Sequence, residues 1–448
     1  MRRMTVMVAA LAAVVMAGVA AVPATVAGAA TPTKLWVSNS TPVAPGAGAG
    51  KSCSNPGYST VQSAVNNAGN FGASIEICAG TYTEQVTITN SVKLVSSGGA
   101  VTLKMPTTPV NNPTTCDATL GDINSGHYGQ PGQDEVSICG AGNVSISNIT
   151  LSAYAPAGYC YDSFYGVFAG QGSNLTTNGL TVTGAGVPLG DSAVGCQGGV
   201  GIEVGSARDT GQAASATLKN TTVSGYQKNG ITVAGTGSSM TVKNATVTGR
   251  GPVGTAENGI QVSYGALGTI TGAQVSNNNC VLLGVCGSDA MQYSQSTGIL
   301  FYGAGAGSSV KNSTFTGNDI GIAYYATGAS VPASPEVTIS KNTVTSSVDE
   351  GIQLDVGKAA LSHDTINGTG PIGIQVLQYN GQAYAPASSA SHESISGQGI
   401  GVQVYSDLAG PGDLAGTFTI AHSQFLHTNT TALTNNSPNY TTAGAGNS

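Results

Sequence analysis

The sequence predicts an all-β solenoid of stacked parallel strands, and three observations predict it. A Gly recurs at 166, 201, 230, 259, 298, 321, 351, 373 and 401, at intervals from 22 (351 to 373) to 39 (259 to 298). The residue after each Gly is Ile or Val, from Val167 and Ile202 through Ile260 and Ile322 to Val402. The third after it is Ala, Val, Leu, Phe or Tyr, and the positions between are mostly polar or small. Alternation with period 2 places alternate side chains on opposite faces of a strand, so one phase held through nine units lays the same strand down nine times. A repeat of 20 to 50 residues made of strands marks a solenoid, in which each unit buries its apolar face only against its neighbours. No helical periodicity separates the units, so the strands must stack coil on coil.

Residues 1–30 read as a secretory signal peptide. Arg2 and Arg3 supply a basic start, Val6 to Val22 an apolar run, and Ala27-Gly28-Ala29 a small-residue cleavage site. Residues 31–57 are rich in Ala, Gly, Pro and Ser and read as linker. From Ser59-Thr60, a plausible N-cap, Val61, Ala64, Val65 and Ala68 fall at helical spacing. A short amphipathic helix there would cover the open end of the first coil, whose backbone groups would otherwise be unpaired. The solenoid is expected over 58–428, interrupted by loops at 106–135, 154–165, 184–199 and 279–296. Residues 429–448 are polar, low in complexity and expected to be a flexible tail.

The units N-G-I-T-V, M-T-V-K-N-A-T-V-T-G and N-G-I-Q-V between Asn229 and Asn278 resemble the right-handed parallel β-helix proteins of the pectin-lyase-like superfamily. The resemblance covers 58 to about 428 and implies a right-handed parallel β-helix of about ten or eleven coils with an N-terminal capping helix. The stretch I-E-I-C-A-G-T-Y-T-E-Q-V-T-I is similar to the opening coil of pectin methylesterase relatives, but their catalytic Gln and Asp motifs are not found downstream. The superfamily includes lyases, hydrolases, esterases, epimerases and non-enzymes, so the resemblance implies architecture more than activity.

Charged residues make up 8% of the chain against a usual ~25%, and Gly is 65 of 448. The net charge of −7 disfavours nucleic acid and gives no long-range attraction to acidic polymers. After signal removal no stretch is long and apolar enough to span a bilayer, so an exported, soluble and monomeric protein is expected. Eight Cys in an exported chain favour disulfides over metal. Cys53 and Cys78, and Cys116 and Cys139, are spaced by one coil, Cys160 and Cys196 by one coil plus an insertion, while Cys280 and Cys286 would close a small loop. Asn148, Asn220, Asn244 and Asn312 recur in the second strand. Asn tolerates left-handed backbone at a corner, and stacked Asn side chains can bond along the column.

Signatures of related catalytic families are absent or incomplete. No Asp-Pro-His-Glu, Asn-Thr-Asp or Gly-His-Gly occurs, and Arg250-Gly251-Pro252 meets only half of an R-x-P-x-x-R pattern. One column carries charge: two residues before the repeat Gly stand Lys228, Glu257, Ser296, Asp319 and Asp349. Asp319 and Asp349, one coil apart, are candidate ligands for Ca²⁺ or an acid/base pair, with Lys228 as a candidate base. Beside them Gln261, Tyr302, Tyr325, Gln353 and Asp355 are expected on the outer face, where they suit stacking and hydrogen bonding to sugar rings. The expected function is binding or processing of an extracellular polysaccharide by lyase or hydrolase chemistry. The alternative is a non-enzymatic surface, adhesion or structural repeat protein.

Overall fold

The computed structural model describes residues 33–43, 50–69, 72–112, 132–155, 164–189, 198–207, 210–284, 286, 295–326, 336–355, 358–368, 370–377, 387–405, 416–426, 431–436 and 440–448. The expected signal peptide, residues 1–30, lies outside them. The described residues all belong to the compact unit Pro32–Ser448.

Each coil lays one strand on each of three faces. One face is a sheet of twelve parallel strands running from Val86–Ile88 to Thr431–Asn435. The residue after the repeat Gly stays in register through it: Ile231, Ile260, Ile299, Ile322, Ile352, Ile374 and Val402 are successive partners. All seven are 0% exposed. The other two faces are ladders such as Ser215–Lys219 on Ser239–Lys243 and Thr222–Ser224 on Thr246–Pro252, joined through one 24-stranded sheet. Val182, Val223, Val247, Val275, Val344 and their like point inward from these faces and complete one continuous core.

The repeat Gly is required by close approach. A Cβ on Gly259 would lie 2.3 Å from Val275 Cγ1 and 2.5 Å from the carbonyl oxygen of Gly298 on the next coil. The corner between the two narrower faces has a different need. Asn148, Asn220, Asn244 and Asn312 adopt φ of 48–54° there, the left-handed conformation that Asn tolerates best after Gly. Among the described residues, the one inter-coil side-chain bond of these Asn runs to a flanking residue and not along the column: Asn220 Nδ2 donates to Asn178 Oδ1 at 2.9 Å. Further along, the same corner is occupied by Lys341, His363, His392 and His422, also at positive φ.

The ends differ from expectation. Lys34–Val37, inside the expected linker, is a strand paired in parallel with Ala73–Thr83, and its Leu35 and Val37 are buried. In the expected tail, Thr431–Asn435 and Tyr440–Ala445 pair with Ile400–Tyr405 and Gly416–Ala421. The twelve-stranded sheet is therefore longer than ten or eleven coils would give. A backbone ladder does not depend on apolar side chains, and Thr has good strand propensity, so polar segments can extend a preformed edge.

The helix Val61–Asn66 buries Val61, Ala64 and Val65, and the Thr60 side chain accepts from Ser63 N. Glu84 adds a second cap, accepting from the backbone N–H groups of Val61 and Gln62 at 2.8 and 2.9 Å. Disulfides join Cys53 to Cys78 and Cys280 to Cys286, with Cα separations of 5.6 and 5.3 Å. Cys139 is also disulfide-bonded, while Cys116, Cys160 and Cys196 lie outside the described residues.

Ile260→Asp places an unpaired carboxylate at the centre of the core. It should lower the unfolding free energy by more than about 3 kcal/mol in urea titration. A variant that unfolds at the parent's midpoint would show that Ile260 does not face inward.

Candidate functional site

The charged column exists as a physical column. Backbone N–H groups link each coil to the one before: Asn258 donates to Lys228 O at 2.9 Å, Thr297 to Glu257 O at 2.9 Å, Ile320 to Ser296 O at 3.0 Å and Asp349 to Asp319 O at 3.0 Å. Asp319 and Asp349 are thus on adjacent coils, as their spacing implies. Their surroundings are not those of a solvated pair, because Asp319 is 0% and Asp349 2% exposed.

Asp319 acts as a clasp. Its Oδ2 accepts from the backbone N–H groups of Cys280 at 2.8 Å, Ser296 at 3.1 Å and Val281 at 3.3 Å. It holds the start of the disulfide-closed loop Cys280–Cys286 against the next coil. Burial raises its pKa, opposed by those N–H bonds. Asp349 accepts a hydrogen bond from the Gln295 side-chain amide. Glu257 is fully buried and accepts from Arg250 N at 3.1 Å. Burial pushes it up to about 8, Arg250 and Lys228 draw it down, and Asp319 raises it. Lys228, half-buried, donates from Nζ to Ala256 O at 2.6 Å. The Arg250 guanidinium donates to the carbonyls of Gly225 at 3.0 and 2.9 Å and Val187 at 2.7 Å, so it ties coils together at the rim of a cavity of about 500 Å³.

The expected sugar-facing residues lie on four consecutive strands of the twelve-stranded sheet: Asn258–Ser263, Thr297–Tyr302, Ile320–Tyr325 and Glu350–Asp355. Tyr302, Tyr325 and Asp355 are direct register partners. Gln261 is separated from Gln353 by Leu300 and Ala323 in its own column. Tyr325 Oη donates to Gln353 Oε1 at 2.5 Å, and the amides continue to Gln375 at 3.4 Å and Gln403 at 3.1 Å. Gln353 and Asp355 are buried, and Gln261, Tyr302 and Tyr325 are half-buried. The face is therefore a sheltered strip with an aromatic edge, and not the open flat sheet that alternation alone suggests.

Other residues on this face escaped the sequence reading. Tyr264 packs edge-on against Tyr302 with ring centroids 5.4 Å apart, and it does so from φ 54°, a costly conformation for a bulky side chain. It is 45% exposed and extends the aromatic edge outward. Upstream, Asp134 accepts from the side chains of Ser137 and Asn112, and Glu203 lies beside Thr232. Burial raises each to about 8. An isolated acid in each unit carries no column signal, which is why spacing did not reveal them.

Ca²⁺ requires oxygen donors facing inward on the ion. Asp319 already receives three N–H donors on one oxygen and Asp349 an amide N–H, so a cation would have to displace hydrogen bonds that hold a loop. Among the described residues no group of three or more His, Cys, Asp or Glu is arranged to hold a metal ion. The donor set does not fit a calcium centre.

A family model described as "Right handed beta helix region" matches residues 201–388. The chain folds as a right-handed parallel β-helix. No curated protein sequence matches it. Among solved structures, the β-helix is similar to the periplasmic alginate epimerase AlgG, with TM-score 0.54, 12% identity, and 82% of this chain and 78% of that one covered. It is similar to the catalytic domain of a GH87 α-1,3-glucanase in complex with nigerose, with TM-score 0.53, 12% identity, and 87% and 67% coverage. The Agl-KA catalytic domain gives TM-score 0.55 at 14% identity, with 85% and 64% coverage.

The buried acids of the β-helix set a pH dependence. Asp134, Glu203 and Glu257 have native pKa values of about 8 against ordinary values of 3.8 and 4.5. A carboxyl raised in the native state contributes stability below its unfolded pKa and loses it as pH rises toward its native pKa. The melting temperature should therefore be higher near pH 5 than near pH 8.5, and Glu257→Gln should flatten that decline. A parent protein that is more stable at pH 8.5 would contradict these assignments. Millimolar calcium and a chelator should give the same melting temperature. A calcium-dependent rise removed by Asp319→Asn would instead show that the clasp opens to bind the ion.

Proposed function

We propose that the protein binds and processes an extracellular polysaccharide chain along the outer face of the twelve-stranded sheet. The observation that carries this reading is the register of Tyr302, Tyr325 and Asp355 on adjacent strands, with Tyr264 edge-on to Tyr302. Strands lie about 4.8 Å apart, so aromatic rings, carboxylate and amides recur at short, regular intervals along the solenoid axis. Such a strip offers ring faces for the apolar sides of sugars, and hydroxyl and amide groups for their oxygens. The β-helix neighbours support the substrate class, since they include an alginate epimerase and an α-1,3-glucanase in complex with nigerose. The two disulfides support an oxidising, exported location. No helix among the described residues is long and apolar enough to cross a membrane.

In this reading Gln261, Tyr302 and Tyr325 touch sugar, and Gln353 orients the Tyr325 hydroxyl. Lys228 is the proposed proton acceptor, as the half-exposed member of the charged column. Asp319 and Asp349 hold the adjoining loop and coil in place. The engagement of Asp319 by backbone N–H groups leaves no accessible acid pair there, and this favours a second reading, adhesion to a polysaccharide without cleavage.

A panel of alginate, polygalacturonate, α-1,3-glucan and neutral plant polysaccharides separates the two. Affinity electrophoresis reads binding, and absorbance of unsaturated products together with reducing ends reads cleavage. Tyr325→Ala should weaken binding about tenfold, roughly 1.4 kcal/mol. Lys228→Ala should abolish cleavage and leave binding intact. Binding without product, in parent and variants alike, would establish adhesion. No affinity for any member of the panel would overturn both readings.

A further inference from the structure

The corner between the two narrower faces lines up four of the chain's 14 Lys and Arg and three of its five His. Lys219, Lys243, Thr271 and Lys311 occupy one register position on four successive coils. The next residue along the chain forms the corner itself, and on the following four coils it is Lys341, His363, His392 and His422. The four Lys are exposed and so are the three His. The His rings stack, with centroids 4.8 Å apart from His363 to His392 and 5.4 Å from His392 to His422. Eight coils at about 4.8 Å each make a stripe roughly 34 Å long.

The flanks of the stripe carry no opposing charge. Outward positions on the strands leading into the corner are Thr217, Thr241, Thr269 and their equivalents; those leading out are Thr222, Thr246, Gln274, Thr314, Thr343 and Thr365. Among the described residues at these flanking positions there is no Asp or Glu. The nearest acids in sequence, Asp364 and Glu393, point inward behind the His stack and are each 1% exposed. Asp364 is bonded to Asn342 N at 2.7 Å, and Glu393 accepts from Asp364 N at 2.9 Å. Burial raises both above the ordinary carboxylate range, to about 7 and about 9, which reduces the charge they set against the stripe at neutral pH. In a chain of net charge −7 with 14 Lys and Arg, four Lys on one line of mutual repulsion are unfavourable unless something answers them.

We infer that this corner is a second binding edge, for a linear acidic polysaccharide lying parallel to the solenoid axis. Ammonium groups at coil spacing meet carboxylate or sulfate groups along the polymer, and the Thr, Ser and Asn rows on either side meet its hydroxyls. The imidazoles lie face to face, which leaves only the outer faces of the stack and the ring edges, with their N–H and N groups, for a ligand. The flanking positions hold no aromatic side chain for bases to stack on, which favours a sugar polymer over single-stranded nucleic acid. The edge is separate from the aromatic strip on the twelve-stranded sheet and does not depend on it.

The test uses the full mature protein and labelled polygalacturonate in fluorescence anisotropy. Controls are a neutral α-glucan of similar length and a single-stranded oligonucleotide. The affinity of the parent for polygalacturonate should fall at least about fivefold from roughly 20 to 500 mM NaCl, because the contacts are exposed and screened. The quadruple variant Lys219→Gln, Lys243→Gln, Lys311→Gln, Lys341→Gln should lose at least fivefold at low salt. The corresponding four Lys→Arg changes should keep the parent affinity, and neutral glucan binding should be the same in all three proteins. The fivefold loss on the four Lys→Gln changes should persist in a Tyr325→Ala background, so failure of the aromatic strip and failure of this edge can be told apart. A Gln variant that loses less than fivefold overturns the inference. So does an oligonucleotide that binds the parent as tightly as polygalacturonate.

Discussion

The carbonyl oxygen of one repeat glycine sits where the Cβ of the glycine on the preceding coil would be. Added Cβ atoms would meet that oxygen at 2.5 Å for Gly201, Gly230 and Gly259 and at 2.6 Å for Gly298 and Gly321, and the same atoms would strike Val223, Val247, Val275, Phe315 or Val344 from the adjacent face. None of these glycines needs a left-handed backbone. They are needed because two chain segments and an inward side chain converge on one point in each coil. A repeat glycine stands near the start of nine of the twelve strands of this sheet, and its contact fixes the phase of Ile and Val inside and of Tyr, Gln and Asp outside there.

A solenoid held in this way encloses polar groups, many of which bond to one another. They do so along the axis. Asn278 Nδ2 donates to Asn318 Oδ1 at 2.8 Å, Asn342 Nδ2 to Asp364 Oδ1 at 2.9 Å, and the backbone N–H of Glu393 to Ser423 Oγ at 3.1 Å. Each bond crosses from one coil to the next, so the buried polar rows reinforce the same stacking that the strands impose. The Asp319 clasp belongs to this class. Its carboxylate anchors an inserted loop to the coil stack, and function then falls to the groups that remain outside, the Tyr strip on one face and the cationic line at one corner.

The parts of this structure that were legible in the sequence are those that repeat. Nine glycines with Ile or Val in constant phase revealed the inward register, the order of coils and the adjacency of Asp319 to Asp349. The left-handed Asn corner and the two disulfides followed from spacing in the same way. Features that occur once were not legible. Lys34–Val37 is a single four-residue strand with no repeat to announce it, and the strands after 430 join through backbone bonds, which leave no apolar pattern when Thr and Asn supply the side chains. The direction of a carboxylate is set by local N–H groups, so spacing could place Asp319 in a column but could not show that its oxygens were already taken. The burial of Gln353 and Asp355 on a nominally outer face is likewise invisible to alternation, which tells sides apart and not exposure.

The central claim, that coil-to-coil contact at the repeat glycine governs the fold, is tested most directly by comparing two Gly→Ala variants in urea. At Gly259 the new methyl would lie 2.3 Å from Val275 Cγ1 and 2.5 Å from Gly298 O, whereas at Gly254 nothing lies within 4 Å of it. Gly259→Ala should lower stability by about 3 kcal/mol or more, since backbone and a β-branched side chain must both move. Gly254→Ala should stay within about 1 kcal/mol of the parent. Equal unfolding midpoints for the two variants would contradict the account.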